Sequence, residues 1–115
     1  MDLTVSRKEG YVLAATTGRL DESVGGIFRE HLFSLLAQTG TNLVLDLSQS
    51  QLINSHGIGH LVQLASHANT NSSRVILAAC SPFVSIVLTR SKLDRFFETV
   101  DSVDAAVRRI RGDEE

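Results

Sequence analysis

One cysteine, one proline and no tryptophan occur among 115 residues, and each scarcity removes a class of protein. A lone thiol, Cys80, cannot form an internal disulfide, so the chain is not a cystine-stapled secreted scaffold and fits a reducing compartment. A single proline beside 43% hydrophobic residues argues against a disordered linker. Lys and Arg number 11 against 13 Asp and Glu, a formal net charge of -2. With no basic cluster before the tail, nucleic acid is not an expected partner. Apolar runs fall far short of the ~20 residues that span a bilayer. The opening MDLTVSRKEG also lacks the apolar core of a secretory signal. The expectation is a cytoplasmic single domain over residues 1–115, with an ordered core at about 3–111.

What is present is an alternation of strand and helix signals. Leu3-Thr4-Val5 and Tyr11-Val12-Leu13-Ala14-Ala15 are β-favouring runs parted by Arg7-Lys8-Glu9-Gly10, the pattern of an antiparallel hairpin. Gly18-Arg19-Leu20-Asp21 closes the second strand and opens a helix, with Asp21 or Ser23 as N-cap. Val24, Ile27, Phe28, Leu32, Leu35 and Leu36 recur at helical spacing, outweighing Gly25 and Gly26, and Gly40 acts as the stop. Residues 42–47 form a near-continuous apolar strand, as in a central parallel strand covered on both faces.

A helix over about 57–69 follows, with Ile58, Leu61, Val62 and Ala65 inward and His56, His60, Gln63 and His67 on the opposite side. Residues 74–79 give another buried strand, and Ser81-Pro82 caps and starts the next helix through Val84, Ile86, Val87 and Leu88. Leu93, Phe96 and Phe97 lead into a short edge strand at 97–100. Asp101 or Ser102 then caps an amphipathic helix through Val103, Ala106, Val107 and Ile110. Arg108, Arg109 and Arg111 suit its C-terminal dipole, and residues 112–115 read as frayed. The fold class is therefore α/β: a mixed sheet, hairpin first and parallel strands after, packed with about four helices.

The chain is organised around LVLDLSQSQLINSHGIGHLVQL, residues 43–64, an apolar strand, a polar turn and a helix start. Such turns place hydroxyls and free backbone N–H groups at the rim of a sheet. Ser55 is the residue of interest there. Alone, a serine at a helix start reads as a cap accepting from the N–H two or three residues on, for ~1 kcal/mol.

Three local patterns carry a resemblance to the sulfate-transporter and anti-sigma-factor-antagonist (STAS) domain over about residues 3–111. Gly18-Arg19-Leu20-Asp21 resembles the family's glycine-x-leucine-aspartate, and Val44-Leu45-Asp46-Leu47-Ser48 its aspartate-bearing third strand. Ile53-Asn54-Ser55-His56-Gly57-Ile58-Gly59 resembles its phosphorylation turn, with Ser55 on the phosphorylatable serine and Gly57 and Gly59 on the glycines. Asn54 stands where the family usually has aspartate, and His56 where it has a second small hydroxyl residue. Asn54 is still a competent cap.

The resemblance implies an anti-sigma factor antagonist. It would bind an anti-sigma factor that is also a serine kinase, and release it once Ser55 is phosphorylated. Asp21, Asn54, Ser55, His56, Gly57 and His60 are the expected partner-binding residues. The chain would be a non-enzyme without cofactor of its own, the kinase supplying ATP and Mg²⁺. A serine phosphatase is a second expected partner, and the chain itself is expected as a monomer or weak homodimer. A STAS scaffold that is not phosphorylated, or a subunit of a transport complex, is the alternative.

Other chemistry has less behind it. Ser55, His56, His60 and Asp46 contain the ingredients of a hydrolase, but Ser55 lies between Asn54 and His56 rather than in a Gly-x-Ser-x-Gly elbow. His56 and His60 are spaced for a metal, yet His67 lies ~16 Å further along the helix and His31 on another. Solvated histidines are the simpler account. Gly57-Ile58-Gly59 fails as a dinucleotide fingerprint because Val62 takes the third glycine's place. Cys80 reads as inert core, and Arg90, Lys92 and Arg95 as solvated surface.

Overall fold

The structure, a computed structural model, describes residues 2–112. Strand β1 (Asp2–Lys8) turns through Glu9-Gly10 into β2 (Tyr11–Thr17), with Gly10 supplying the positive φ of 84° that the tight turn requires. Next come α1 (Val24–His31), α2 (Phe33–Leu36), β3 (Asn42–Gln49), α3 (Ser55–Thr70), β4 (Arg74–Ala78), α4 (Pro82–Arg90), β5 (Glu98–Val100) and α5 (Val103–Arg111). The sheet order is β1-β2-β3-β4-β5, with β1 antiparallel to β2 and every later pairing parallel. This is the mixed sheet expected from the sequence, with β3 central.

Among the described residues the helices number five rather than about four, because the stripe from Val24 to Leu36 is broken at Leu32 (φ -115°). The separate turn α2 points its last carbonyls at loop hydroxyls. Leu35 O accepts from Thr41 Oγ1 (2.9 Å) and Leu36 O from Ser73 Oγ (2.8 Å). Gly40 lies beyond these bonds, in the turn leading to β3, where its N–H reaches Ser72 O (3.1 Å).

Alternation along β3 and β4 divides the interior. Leu43, Leu45, Leu47 and Leu77 face α1–α4 together with Phe28, Leu61, Leu64, Val84 and Leu88. Val44, Ile76 and Ala78 face α5 across Ala106. Two of the expected caps have full geometry: Ser81 Oγ accepts from Val84 N (3.4 Å) and Ser102 Oγ from Ala105 N (3.0 Å). Arg109, expected to serve the α5 dipole, also pairs with Glu98 on β5. The part of the expected frayed tail beyond Gly112 lies outside the described residues.

Near its end β2 shifts register against β3 between Ala15 and Thr17. There the buried hydroxyls of Thr16 and Ser50 satisfy each other at 2.6 Å. Beyond this point the segments that follow β2 and β3 run on side by side toward the start of α3.

Candidate functional site: the turn at the start of α3

The segment after β2 is zipped to the segment after β3. Gly18 N donates to Gln49 O (3.1 Å), Leu20 N to Leu52 O (2.9 Å) and Asn54 N to Leu20 O (3.1 Å). Leu20 and Ile53 form an isolated parallel bridge and are both buried. The glycine-to-aspartate segment and the serine turn therefore form one rigid rim, held by apolar anchors beneath.

On that rim Asn54 is the N-cap, in extended conformation, and its Oδ1 accepts from Gly57 N (3.0 Å). Ser55 is thus the first helical residue and not the cap. Its exposed hydroxyl is relieved of the structural job that a serine at a helix start ordinarily does. Ile58 N donates to Asn54 O (3.0 Å), the first intrahelical bond. The backbone N–H groups of Ser55 and His56 stand ahead of that ladder at the positive end of a 16-residue helix.

Gly57 is buried, and a Cβ there would lie 2.1 Å from the Leu20 carbonyl oxygen. Glycine is required because the rim backbone crosses the helix at contact distance. Gly57 offers the surface no side chain, whereas Gly59 is exposed with open space around it.

Acidic residues flank the turn. Asn54 Nδ2 donates to Glu22 Oε2 (3.4 Å). Asp21 Oδ1 accepts from Ser23 Oγ (2.7 Å) and Ser23 N (3.0 Å), and these bonds hold its carboxyl below the ordinary range. Ser23 takes the position before α1 without capping through its side chain, because its hydroxyl is turned back to Asp21. Glu22 joins the turn with no motif of its own in the sequence, where Asn54 and the preceding Asp21 are the only signals near it.

The histidines depart from expectation. The buried face of α3 is Gly57, Leu61, Leu64 and Ala68, rotated by about 80° from the anticipated one. His56 and Gln63 stay exposed, but His60 and His67 become a flank packed on α1 and α2. His60 lies where a Cβ on Gly25 would be 2.3 Å from its Cε1, and its Nδ1 is buried without a hydrogen-bond partner. His67 stacks on Phe33 (centroids 4.5 Å apart, 14° between planes), with Nε2 3.1 Å from Phe33 O. These two are packed side chains, not solvated ones. Gly25, read as a weak point in a helix, is the space His60 fills.

Rival chemistry gains nothing from this geometry. Asp46 accepts from Ser48 N (2.9 Å), and His60 is turned to α1, so neither is arranged as a partner for Ser55. Among the described residues no group of three or more His, Cys, Asp or Glu side chains could hold a metal. Cys80 is partly buried, and burial pushes its thiol pKa up, as suits an inert cysteine. No helix among the described residues is long and apolar enough to cross a membrane.

A mixed sheet opening on a hairpin, with a zipped serine turn at the head of α3, is the arrangement of a STAS domain. The family model described as the STAS domain matches residues 3–106, and the chain belongs to that family. A STAS-domain containing protein of Pseudomonas aeruginosa is 31% identical over 81 residues, 70% of this chain and 79% of that protein. Among solved structures, an anti-sigma factor antagonist from Mycobacterium paratuberculosis superposes with a TM-score of 0.82 at 19% identity, covering 96% of this chain and 93% of its own. The unphosphorylated anti-sigma factor antagonist SpoIIAA gives 0.78 at 19% identity, covering 96% and 97%. Bacillus SpoIIAA in its phosphorylated form gives 0.72 at 18%, covering 96% and 100%. At these identities the superpositions establish a shared fold.

Proposed function

We propose that this protein is an anti-sigma factor antagonist of the partner-switching kind. It binds an anti-sigma factor that is also a serine kinase, and phosphorylation of Ser55 ends the association. The observation that carries this reading is the division of labour at the turn: Asn54 caps α3, leaving the Ser55 hydroxyl exposed and free. The contact surface is the rim itself, with Asp21, Asn54, Ser55 and His56 presented and Gly57 and His60 shaping it from below. The kinase supplies ATP and Mg²⁺, so this cytoplasmic chain is substrate and ligand with no cofactor of its own. A serine phosphatase resets it.

The physics favours a switch in binding over a switch in fold. A phosphate on Ser55 brings roughly -1.5 to -2 charge to the free N–H groups at the head of α3, a favourable placement. Asp21 and Glu22 beside it oppose that gain and concentrate negative charge on the rim. A partner surface shaped for a neutral hydroxyl then meets like charge or a desolvated phosphate, which costs several kcal/mol across an interface.

The test is incubation with the candidate kinase and ATP, read by mass spectrometry and by pull-down of the kinase. Unmodified protein and Ser55→Ala should both be retained, Ser55→Ala should take up no phosphate, and Ser55→Asp should lose retention by tenfold or more. Phosphate found on another residue, or retention indifferent to Ser55→Asp, would sink the assignment.

A further inference from the structure

We propose that the free edge of β1 is a homodimerisation surface, on which a second copy of this chain pairs antiparallel with Val5 opposite Val5 across a two-fold axis. Lys8 and Tyr11 close a two-residue turn, so they exchange backbone hydrogen bonds, and along an antiparallel ladder such pairs alternate with unbonded ones. Bonds to β2 therefore fall at Lys8, Ser6, Thr4 and Asp2. The N–H and C=O groups of Arg7, Val5 and Leu3 point away from the sheet.

In the sheet order β1 is an outer strand, and no proline or bulge interrupts its seven-residue ladder. The opposite edge, β5, has only three residues.

The sequence of β1, DLTVSRK, is complementary to itself when reversed. With Val5 on the axis, Asp2 meets Lys8 of the second copy, Leu3 meets Arg7 and Thr4 meets Ser6. The outward-pointing residues then oppose one another, giving about six backbone hydrogen bonds across the axis. The unbonded pairs, whose side chains approach more closely, are Asp2 with Lys8 and Thr4 with Ser6, an ion pair and a hydroxyl pair. Slipping the register by two residues in either direction leaves strand ends unpaired and separates Asp2 from Lys8. Parallel pairing in register would stack Arg7 and Lys8 on their own copies. Val5, 38% exposed in the single chain, becomes covered by its symmetry mate. The product is a continuous ten-stranded sheet, twice the five strands of one chain.

The test is sedimentation equilibrium of the full chain over a wide concentration series, with three sets of variants. Val5→Pro removes an N–H that the single chain does not use, so the fold should survive while dimerisation is lost. Asp2→Lys and Lys8→Asp should each weaken the dimer by about tenfold, and the double variant Asp2→Lys with Lys8→Asp should restore it. The restoration carries the proposal even if Val5→Pro misfolds. Slowed amide exchange at Leu3, Val5 and Arg7 with rising concentration is the matching local readout. A chain that stays monomeric to its solubility limit overturns the proposal, as does a dimer whose strength ignores the charge reversals. None of these outcomes bears on Ser55, which opens α3 and is no part of β1.

Discussion

A methyl group added at Gly57 would lie 2.1 Å from the Leu20 carbonyl oxygen, a backbone atom held by the Asn54 N–H bond. One added at Gly25 would lie 2.3 Å from His60 Cε1, the end of a side chain that can turn aside. At Gly26 nothing lies within 4 Å. Three chemically identical substitutions therefore separate three effects. Gly57→Ala should cost about 2–3 kcal/mol, because backbone must shift. Gly25→Ala should cost less, and a second change, His60→Ala, should recover most of that loss. Gly26→Ala should be neutral or stabilise by up to about 1 kcal/mol through helix propensity alone. Urea unfolding midpoints at constant m-value check all three. Equal losses at Gly57 and Gly26 would show that the rim does not press on α3 as described.

At the scale of elements, what was legible in the sequence is the set of signals that are local. The β1–β2 hairpin, the apolar β3 and β4, and the Ser81 and Ser102 caps were readable because each depends on residues within a few positions. The inward face of α3 was not. Its contacts are made partly by Gly57 and Ala68, small residues that a hydrophobic period does not count. Ile58, Val62 and Ala65 are only partly buried on one flank, while α1 and α2 cover the other flank at His60 and His67. A helix covered on two sides has no single outer face for polar residues to mark. The Ser55 turn was legible as a helix start, but which residue caps it depends on the Leu20–Asn54 zipper, a contact distant in sequence.

One long-range contact at this scale has a pH signature. Glu98 on β5 receives Arg74 of β4 in two-pronged fashion, Arg74 Nε at 2.7 Å from its Oε1, and Arg109 of α5 at 3.4 Å from Oε2. The Arg74 hydrogen bonds lead the causes that hold the Glu98 carboxyl below its ordinary value, against the opposing effect of burial. A carboxylate lowered by folding stabilises fully above its unfolded value of about 4.3, and that contribution disappears as pH falls through the folded value. Glu98→Gln should therefore lower stability by up to about 1 kcal/mol at neutral pH and leave it nearly unchanged in strong acid. Urea titrations of both proteins at neutral and acid pH give the comparison. A constant difference at every pH would exclude charge as the origin.

For the whole molecule, the decisive separation is between folding and partner choice. The fold stands on the two apolar layers either side of the sheet, and Ser55 touches neither: it is an exposed first residue of α3, capped by its neighbour. A negative charge at that position gains up to about 1 kcal/mol from the helix dipole. Repulsion from Asp21 and Glu22 offsets part of this. The net change in stability for Ser55→Asp should thus stay within about 1 kcal/mol, a shift in Tm of no more than about 4–8 °C in either direction. Over the same substitution the proposed association with the anti-sigma factor should weaken by tenfold or more. Calorimetric unfolding of Ser55→Asp and of the phosphorylated protein, beside binding titrations of each, measures the two quantities independently. Binding lost together with a collapse in Tm would mean that the charge acts by breaking the fold. Binding lost at nearly constant Tm is what a rim held from below by Leu20, Ile53 and Gly57 should give, since the charge then alters only what the partner meets.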